Sequence, residues 1–398
     1  MGKGNLTVIT SYPKRGEIHS TQTVGVASYS KQLLSAFKRV YPEIKVKVVA
    51  EVFDKKEKYS DGLIEVERFW HRKSFLDVFK LFILIAKEEH KNILISLEAN
   101  MFSTSWHTLI FLINLAILRL LGKEITLILH QVLSDFSVVE KNIFKARLLN
   151  LIYLKPYYFL VFLASSKVIV FEEALREGLS RKANIYTLSH LIPQNVQVEK
   201  SLARKKLGLA LNKKYSMCFG YISPYKGIEH LITNWPKETG FELIVAGGIN
   251  PNHKNNPKIV KYVAGIERVA KLKGILVTGF IKEADLHYYF SAVDLVVLPY
   301  VTFMSSSGPL SLALSFEKPV ILDRVLAGYA MSQDFNSALK ESGLTIDDLV
   351  YDRNLSSMAD ILVNTEDERD KFEKFARILS RMRNPEIIGK QLGEILAK

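Results

Sequence analysis

The chain has 398 residues, 48% of them hydrophobic and 24% charged; that is too long for one ordinary core, suits two folded domains, and excludes a disordered protein. A single cysteine, Cys218, excludes an internal disulfide framework and a zinc cage built on several thiolates, and fits a reducing, cytoplasmic setting. The formal net charge of +13 is uneven, since residues 1–192 carry 27 Lys and Arg against 18 Asp and Glu.

That basic first half suits anionic lipid, a phosphorylated acceptor or a solubilising excess. Nucleic acid is not expected as a partner, because no recognised module or aromatic-basic ribbon accompanies the charge. The opening segment, MGKGNLTVITSYP, has a short apolar run and no small-residue cleavage pattern, so it reads as a β-strand and not a signal peptide. Short β-branched runs then alternate with helical-period segments, the rhythm of βα units and parallel sheets. Strands are predicted at Leu6–Thr10, Lys45–Val49, Ile93–Ser96, Ile125–Leu129 and Val168–Phe171, with helices near Ser28–Val40, Ser74–Glu89, Ser105–Leu121 and Asn142–Leu163. The stretches Leu109–Leu121 and Leu148–Leu163 are unusually apolar but interrupted by Asn114, Arg119, Lys155 and Pro156, so neither is expected to span a membrane. Two readings stay open for them: an interfacial surface flanked by Lys141, Lys145, Arg147, Lys155 and Lys167, or buried helices covering a sheet.

The pattern restarts after Leu191-Ile192-Pro193-Gln194-Asn195, a segment of linker composition. Strands are predicted at Met217–Tyr221, Leu243–Ala246, Leu276–Thr278, Leu295–Leu298 and Pro319–Leu322. Near the end, Phe372, Phe375, Ala376, Ile378 and Leu379 share a helical face, and Asn384-Pro385 starts another helix. The expected fold is α/β, with two doubly wound Rossmann-like halves facing across a cleft. Ligands of such sheets bind at the carboxyl ends of the strands.

Three segments sit where chemistry is expected. The first strand runs into Ser11–His19, and Val24-Gly25-Val26-Ala27-Ser28-Tyr29 opens a helix whose free N–H groups favour negative charge. This is not the G-x-G-x-x-G fingerprint, so hydride transfer lacks its main support. In the second half, Phe219–Ile228 places Lys226 beside a glycine at a helix start, suited to neutralising a diphosphate, although it is not a Walker loop. Ser305-Ser306-Ser307-Gly308-Pro309 follows a strand ending at Leu298 and reads either as an anion nest or as an ordinary helix cap. Each of the last two follows a strand end in the same half.

In their order, Val24–Tyr29, His130 after its strand, Pro224-Tyr225-Lys226-Gly227-Ile228, Gly279-Phe280-Ile281, Ala292–Tyr300, Ser307-Gly308 and Lys318-Pro319-Val320-Ile321 resemble the retaining GT-B glycosyltransferases of family 4, the glycosyl transferases group 1. The resemblance spans nearly the whole chain. It implies an acceptor-side domain over 1–192, a donor domain over 193–380, and a terminal helix, 381–398, packing back on the first domain. By the same resemblance Gly25, Lys226, Ser306, Ser307 and Gly308 bind the donor phosphates, His130 lies at the transferred sugar, and Phe280 and Ile281 meet the base. His130 and Lys226 are the candidate catalytic residues. No cofactor is expected, the nucleotide-diphosphate sugar being a substrate.

The chain departs from the family in carrying Tyr221 for an arginine, and Ser305 and Ala313 for the E-x7-E pair. Ser305 is left as the group for donor sugar or ribose, and Ala313 cannot accept a hydrogen bond as a carboxylate does. No Asp-x-Asp motif is present, so no metal is expected. The expected activity is retaining, metal-independent hexosyl transfer to a glycan or lipid-linked acceptor. Its expected place is polysaccharide or cell-envelope synthesis, in the cytoplasm or peripherally at the inner face of an anionic membrane. The alternative is a non-catalytic GT-B scaffold binding glycan or a partner transferase.

Overall fold

The computed structural model describes residues 4–17, 25–72, 74–98, 101–102, 104–138, 140, 142–179, 184–250 and 253–398. Of the residues singled out above, Ile18, His19, Val24 and Lys141 lie outside them. The first unit is a sheet of eight strands: β1 (Asn5–Ile9), β2 (Lys45–Glu51), β3 (Lys58–Asp61), β4 (Ile64–Trp70), β5 (Asn92–Leu97), β6 (Glu124–Leu129), β7 (Lys167–Val170) and β8 (Ile185–Thr187). Their order is β3-β4-β2-β1-β5-β6-β7-β8, and every pairing is parallel except β3 with β4. The helices of this unit are α1 (Gly25–Val40), α2 (Phe75–Lys87), α3 (Ser105–Leu120), α4 (Ile143–Leu149), α5 (Lys155–Ala164) and α6 (Glu173–Glu177).

The second unit is a parallel sheet of β9 (Lys214–Phe219), β10 (Phe241–Ala246), β11 (Leu276–Val277), β12 (Leu295–Leu298), β13 (Val320–Asp323) and β14 (Val350–Tyr351), ordered β11-β10-β9-β12-β13-β14. It is covered by α7 (Lys200–Leu207), α8 (Ile228–Thr233), α9 (Pro257–Lys273), α10 (Glu283–Ala292), α11 (Gly308–Ser315), α12 (Gln333–Ser342), α13 (Leu355–Asp367) and α14 (Arg369–Met382). A final helix, α15 (Pro385–Ala397), returns to the first unit. There Ile388, Leu392, Ile395 and Leu396 join the core of Leu33, Phe37 and Val48. Gly389 is required at that crossing, because a Cβ would stand 2.7 Å from the backbone of Ala36.

Each sheet has two cores, one per face. In the first unit, α1 and α15 cover one face, while α2, α3 and α5 cover the other. The predicted helix over Asn142–Leu163 is divided: Asn150–Leu154 forms a π turn between α4 and α5. Pro156, at the start of α5, lacks an N–H, and its ring would meet the carbonyl one turn back, so the backbone widens there.

Candidate active site

The carboxyl ends of the two sheets face each other. Val132, just after β6, donates its N–H to the carbonyl of Met304, in the loop after β12, at 2.7 Å. Glu172, just after β7, accepts a hydrogen bond from Ser306 Oγ at 3.1 Å. His190 Nδ1 and Ser311 Oγ lie 2.8 Å apart across the same gap. His130 and the serine run are thereby brought to one place, from strands far apart in sequence.

Lys226 lies in a one-turn helix after β9, ended by Gly227 at φ 66°. Only 5% of the residue is exposed, and among the described residues no carboxylate or carbonyl accepts from its ammonium. The nitrogen lies 5.5 Å from the centre of the Tyr300 ring. Burial lowers its pKa from 10.5 to about 8. Gly220, at φ 113°, makes the approach possible, since a Cβ there would lie 2.4 Å from Lys226 Nζ and 3.2 Å from Pro309 Cγ. The lysine and the start of α11 are therefore neighbours across one glycine.

Gly247 and Gly248, at the end of β10, are close-packed in the same way. A Cβ on Gly247 would fall 2.0 Å from the carbonyl of Gly220, and one on Gly248 would fall 3.1 Å from the amide of Phe280. This pair was not singled out in the sequence. Its signal was present, a Gly-Gly step directly after an apolar run.

The serine run is only partly free. Ser307 caps α11, its Oγ accepting from the amide of Leu310 at 3.2 Å while lying 2.8 Å from the Tyr300 hydroxyl. The Ser307 amide donates to the Tyr329 hydroxyl at 3.0 Å, and the Ser306 hydroxyl is held by Glu172. This leaves the Ser305 hydroxyl and the amides of Ser306 and Gly308 without an internal partner among the described residues. Ser307 is therefore a helix cap, and the neighbouring amides are donors left without an internal partner among the described residues.

His130 is 8% exposed, and its Nε2 is 2.6 Å from Ser96 Oγ, which in turn lies 3.3 Å from Ser30 Oγ. Burial, reinforced by nearby His190, lowers its pKa from 6.5 to about 3. The ring is thus neutral at physiological pH, a hydrogen-bonding group and not a proton carrier. Gly25 opens α1 with free space around its Cα. Phe280 is half-buried after β11. Ile281 packs into the core with Leu286 and Phe290, so only its backbone is left for a ligand. Ala313 is fully buried in that core, and Tyr221 is partly buried.

One acidic residue escaped the sequence reading. Glu98 directly follows β5, at the carboxyl edge that also holds His130, and its Oε2 is buried without a hydrogen-bond partner among the described residues. Arg72 is 3.9 Å away. Burial, with a smaller contribution from this carboxylate, raises the pKa of Tyr225 in the second unit to about 12. Burial raises the pKa of Glu98 itself. Position after a strand was the available signal. A further cavity, of about 790 Å³, opens on the hinge side between Arg39, Asn195 and His287 and contains none of these groups. Among the described residues no three His, Cys, Asp or Glu side chains converge as a metal site.

Residues 213–367 match the family model described as Glycosyl transferases group 1. Among solved structures the chain is similar to a sucrose-phosphate synthase from Thermosynechococcus elongatus, with 14% identity, a TM-score of 0.71, and 99% and 98% of the two chains covered. It is also similar to HepE from Anabaena in complex with UDP-glucose, with 16% identity, a TM-score of 0.64 and 99% of each chain covered. A third similar structure is WaaG, a glycosyltransferase involved in lipopolysaccharide biosynthesis, with 12% identity, a TM-score of 0.62, and 98% and 99% covered. No curated protein sequence compared with the chain matches it. Over residues 213–367 the chain is therefore similar to glycosyl transferases group 1, and as a whole it has the GT-B fold.

Proposed function

We propose that the protein transfers a hexose from a nucleoside-diphosphate sugar to a glycan or lipid-linked acceptor, with retention at the anomeric carbon and without a divalent metal. The observation that carries this is Lys226, a buried ammonium with no anionic partner among the described residues, set beside the open amides at the start of α11. A desolvated cation of this kind is costly unless an anion completes it. The departing diphosphate is that anion: cleavage of the sugar–phosphate bond builds negative charge where Lys226, Ser306 N and Gly308 N converge, and fixed donors stabilise charge as it develops. Gly25 approaches the same phosphates from the first unit. Ser305 takes a sugar or ribose hydroxyl, the segment Phe280-Ile281 meets the base, and His130 hydrogen-bonds the transferred sugar.

The HepE neighbour holds UDP-glucose, which makes UDP the first nucleotide to test. WaaG's part in lipopolysaccharide biosynthesis supports glycan assembly at the cytoplasmic face of the cell envelope. The competing reading is a scaffold without activity, favoured by Ala313, whose apolar methyl is buried where the family has a carboxylate. Calorimetric titration of UDP and of GDP, with and without magnesium, into wild type and Lys226→Ala distinguishes them. Metal-indifferent binding of one nucleotide, lost in the variant, supports the transferase. Absence of binding of either nucleotide to folded protein favours the scaffold.

A further inference from the structure

The layer formed by α2, α3, α4 and α5 is apolar on both sides. Its inner side fills the core with Leu81, Phe111, Leu115 and Val161. Its outer side should be polar in a helix layer facing water. Instead α3 exposes Trp106 (61%), Ile113, Ile117 and Leu120 (85%), spaced so that they form one stripe along the helix. The run from α4 to α5 exposes Phe144 (82%), Leu148, Phe159 and Leu163. Helix α2, packed on the other side of α3, adds Leu76, Phe79 and Ile83. Single exposed apolar residues are ordinary, but an apolar face drawn from four neighbouring helices marks an interaction site.

Charge identifies what covers it. Within these helices the only carboxylate is Asp77, which is buried and hydrogen-bonded to His71 and Lys80. Exposed cations are interspersed: Lys80, Lys87, Lys145, Arg147 and Lys155. A second copy of the chain meeting this face about a two-fold axis would set the same cations against one another. An anionic bilayer matches both features, taking the apolar side chains at the acyl boundary and the lysines and arginines at the headgroups. Among the described residues no helix is long and apolar enough to cross a membrane, so this contact lies along the surface.

The face also reaches the cleft. Helices in βα units run back from the carboxyl edge of the sheet, so α3 and α4 begin at that edge. Trp106 stands near the start of α3, shortly after Glu98, and Phe144 opens α4 after the loop that leaves His130. We infer that the outer face of α2, α3, α4 and α5 docks on an anionic lipid surface and holds the acceptor side of the cleft against it. The delivery of a lipid-linked acceptor rests on the transferase reading above; the docking itself does not.

The test is sedimentation of the full chain with phosphatidylcholine vesicles, alone or containing about one third phosphatidylglycerol, at low and high salt. Wild type is expected to bind the anionic vesicles and to be released by salt. Phe144→Ser with Phe159→Ser, and separately Lys145→Glu with Lys155→Glu, are expected to weaken partitioning by about tenfold or more. UDP binding, measured by calorimetry on the same samples, is expected to be unchanged. Wild type that ignores anionic vesicles overturns the inference, as does binding indifferent to both double variants. A dimer in light scattering that the Phe144 and Phe159 changes dissociate, without vesicle binding, assigns the face to a second copy and also overturns it. Vesicle binding without nucleotide binding refutes the transferase reading and leaves the docking face standing.

Discussion

Replacing Lys226 by methionine separates what this residue does for the fold from what it does for the ligand. Its pKa of about 8 in the folded chain lies below the ordinary 10.5, so the ammonium opposes folding at pH 7. The gap corresponds to at most about 3 kcal/mol. The sign follows from proton binding: between about 8 and 10.5 the unfolded chain holds the proton more often, so wild-type stability rises across that window and the penalty is fully present below it. Lys226→Met keeps the length of the side chain and removes the charge. Unliganded variant is therefore expected to melt several degrees higher than wild type at pH 7, with the difference shrinking toward pH 10. Its affinity for UDP is expected to fall about ten- to a hundredfold, the worth of a hydrogen bond between charged groups in a buried site. Differential scanning calorimetry and nucleotide titration measure the two effects on one preparation. A variant that melts lower than wild type and binds UDP equally well would falsify the phosphate-site assignment.

The wild-type affinity for UDP should itself decline as pH rises through about 8, because diphosphate raises the lysine pKa and binding above that point requires proton uptake; titration from pH 6.5 to 9.5 reads this. His130→Asn should lower sugar transfer by about a hundredfold with UDP affinity unchanged, as loss of one fixed donor does. Because burial keeps the wild-type ring neutral down to about pH 3, the rate profile should show no inflection near 6.5 from this residue. Gly220→Ala should weaken UDP binding and lower stability by about 1–3 kcal/mol in urea, since the methyl meets Lys226 Nζ and the backbone is at φ 113°. Arg383→Met should destabilise by about 3 kcal/mol in the same assay, stranding a fully buried Glu172 that now accepts two hydrogen bonds from it, at 2.7 and 3.1 Å.

Much of this architecture was legible because apolar runs and helical periods were strong where the sheets were central. Leu295–Leu298 is bounded as predicted, and the other nine predicted strands differ from the observed ones by three residues or fewer at either end. The edges were harder. The β3–β4 hairpin turns at Asp61-Gly62, with Gly62 at φ 60°, and β4 buries Ile64, Val66, Arg68 and Trp70 in strict alternation. That signal was readable but was not used. Strands β8 and β14 are three and two residues long, below the length at which a period can be counted. For the apolar stretches the sequence leaves core and interface open; the structure shows Leu112 and Leu115 facing inward on α3 while Ile113 and Ile117 are exposed. Hydropathy summed along a helix cannot distinguish a helix with one apolar face from one with two. His130 stands directly after β6 as the sequence suggested, and the same strand-end rule applied to β5 points to Glu98.

The serine segment shows why a motif is incomplete without its supports. Read alone, three hydroxyls before a helix form a generous anion nest; folded, two of them are held by Glu172, Tyr300 and the first turn of α11. That loss of donors is also what fixes the rest. Ser306 and Ser332 of the second unit both donate to Glu172 of the first, which also accepts from Arg383, whose guanidinium donates to Asp334 at 2.8 Å as well. Arg383 lies two residues before α15, and its carbonyl accepts from Ile192 at the crossing between the units. Helix α15 in turn packs along α1, the helix that Gly25 opens. A single buried ion-pair network thus positions the serine loop, the crossing between the units and the helix behind Gly25 together. Its members come from residues 172, 306, 332, 334 and 383, a spacing no local pattern connects. A buried pair of this kind adds little net stability over an apolar replacement but tolerates few alternative geometries, which suits a site whose residues are drawn from two sheets.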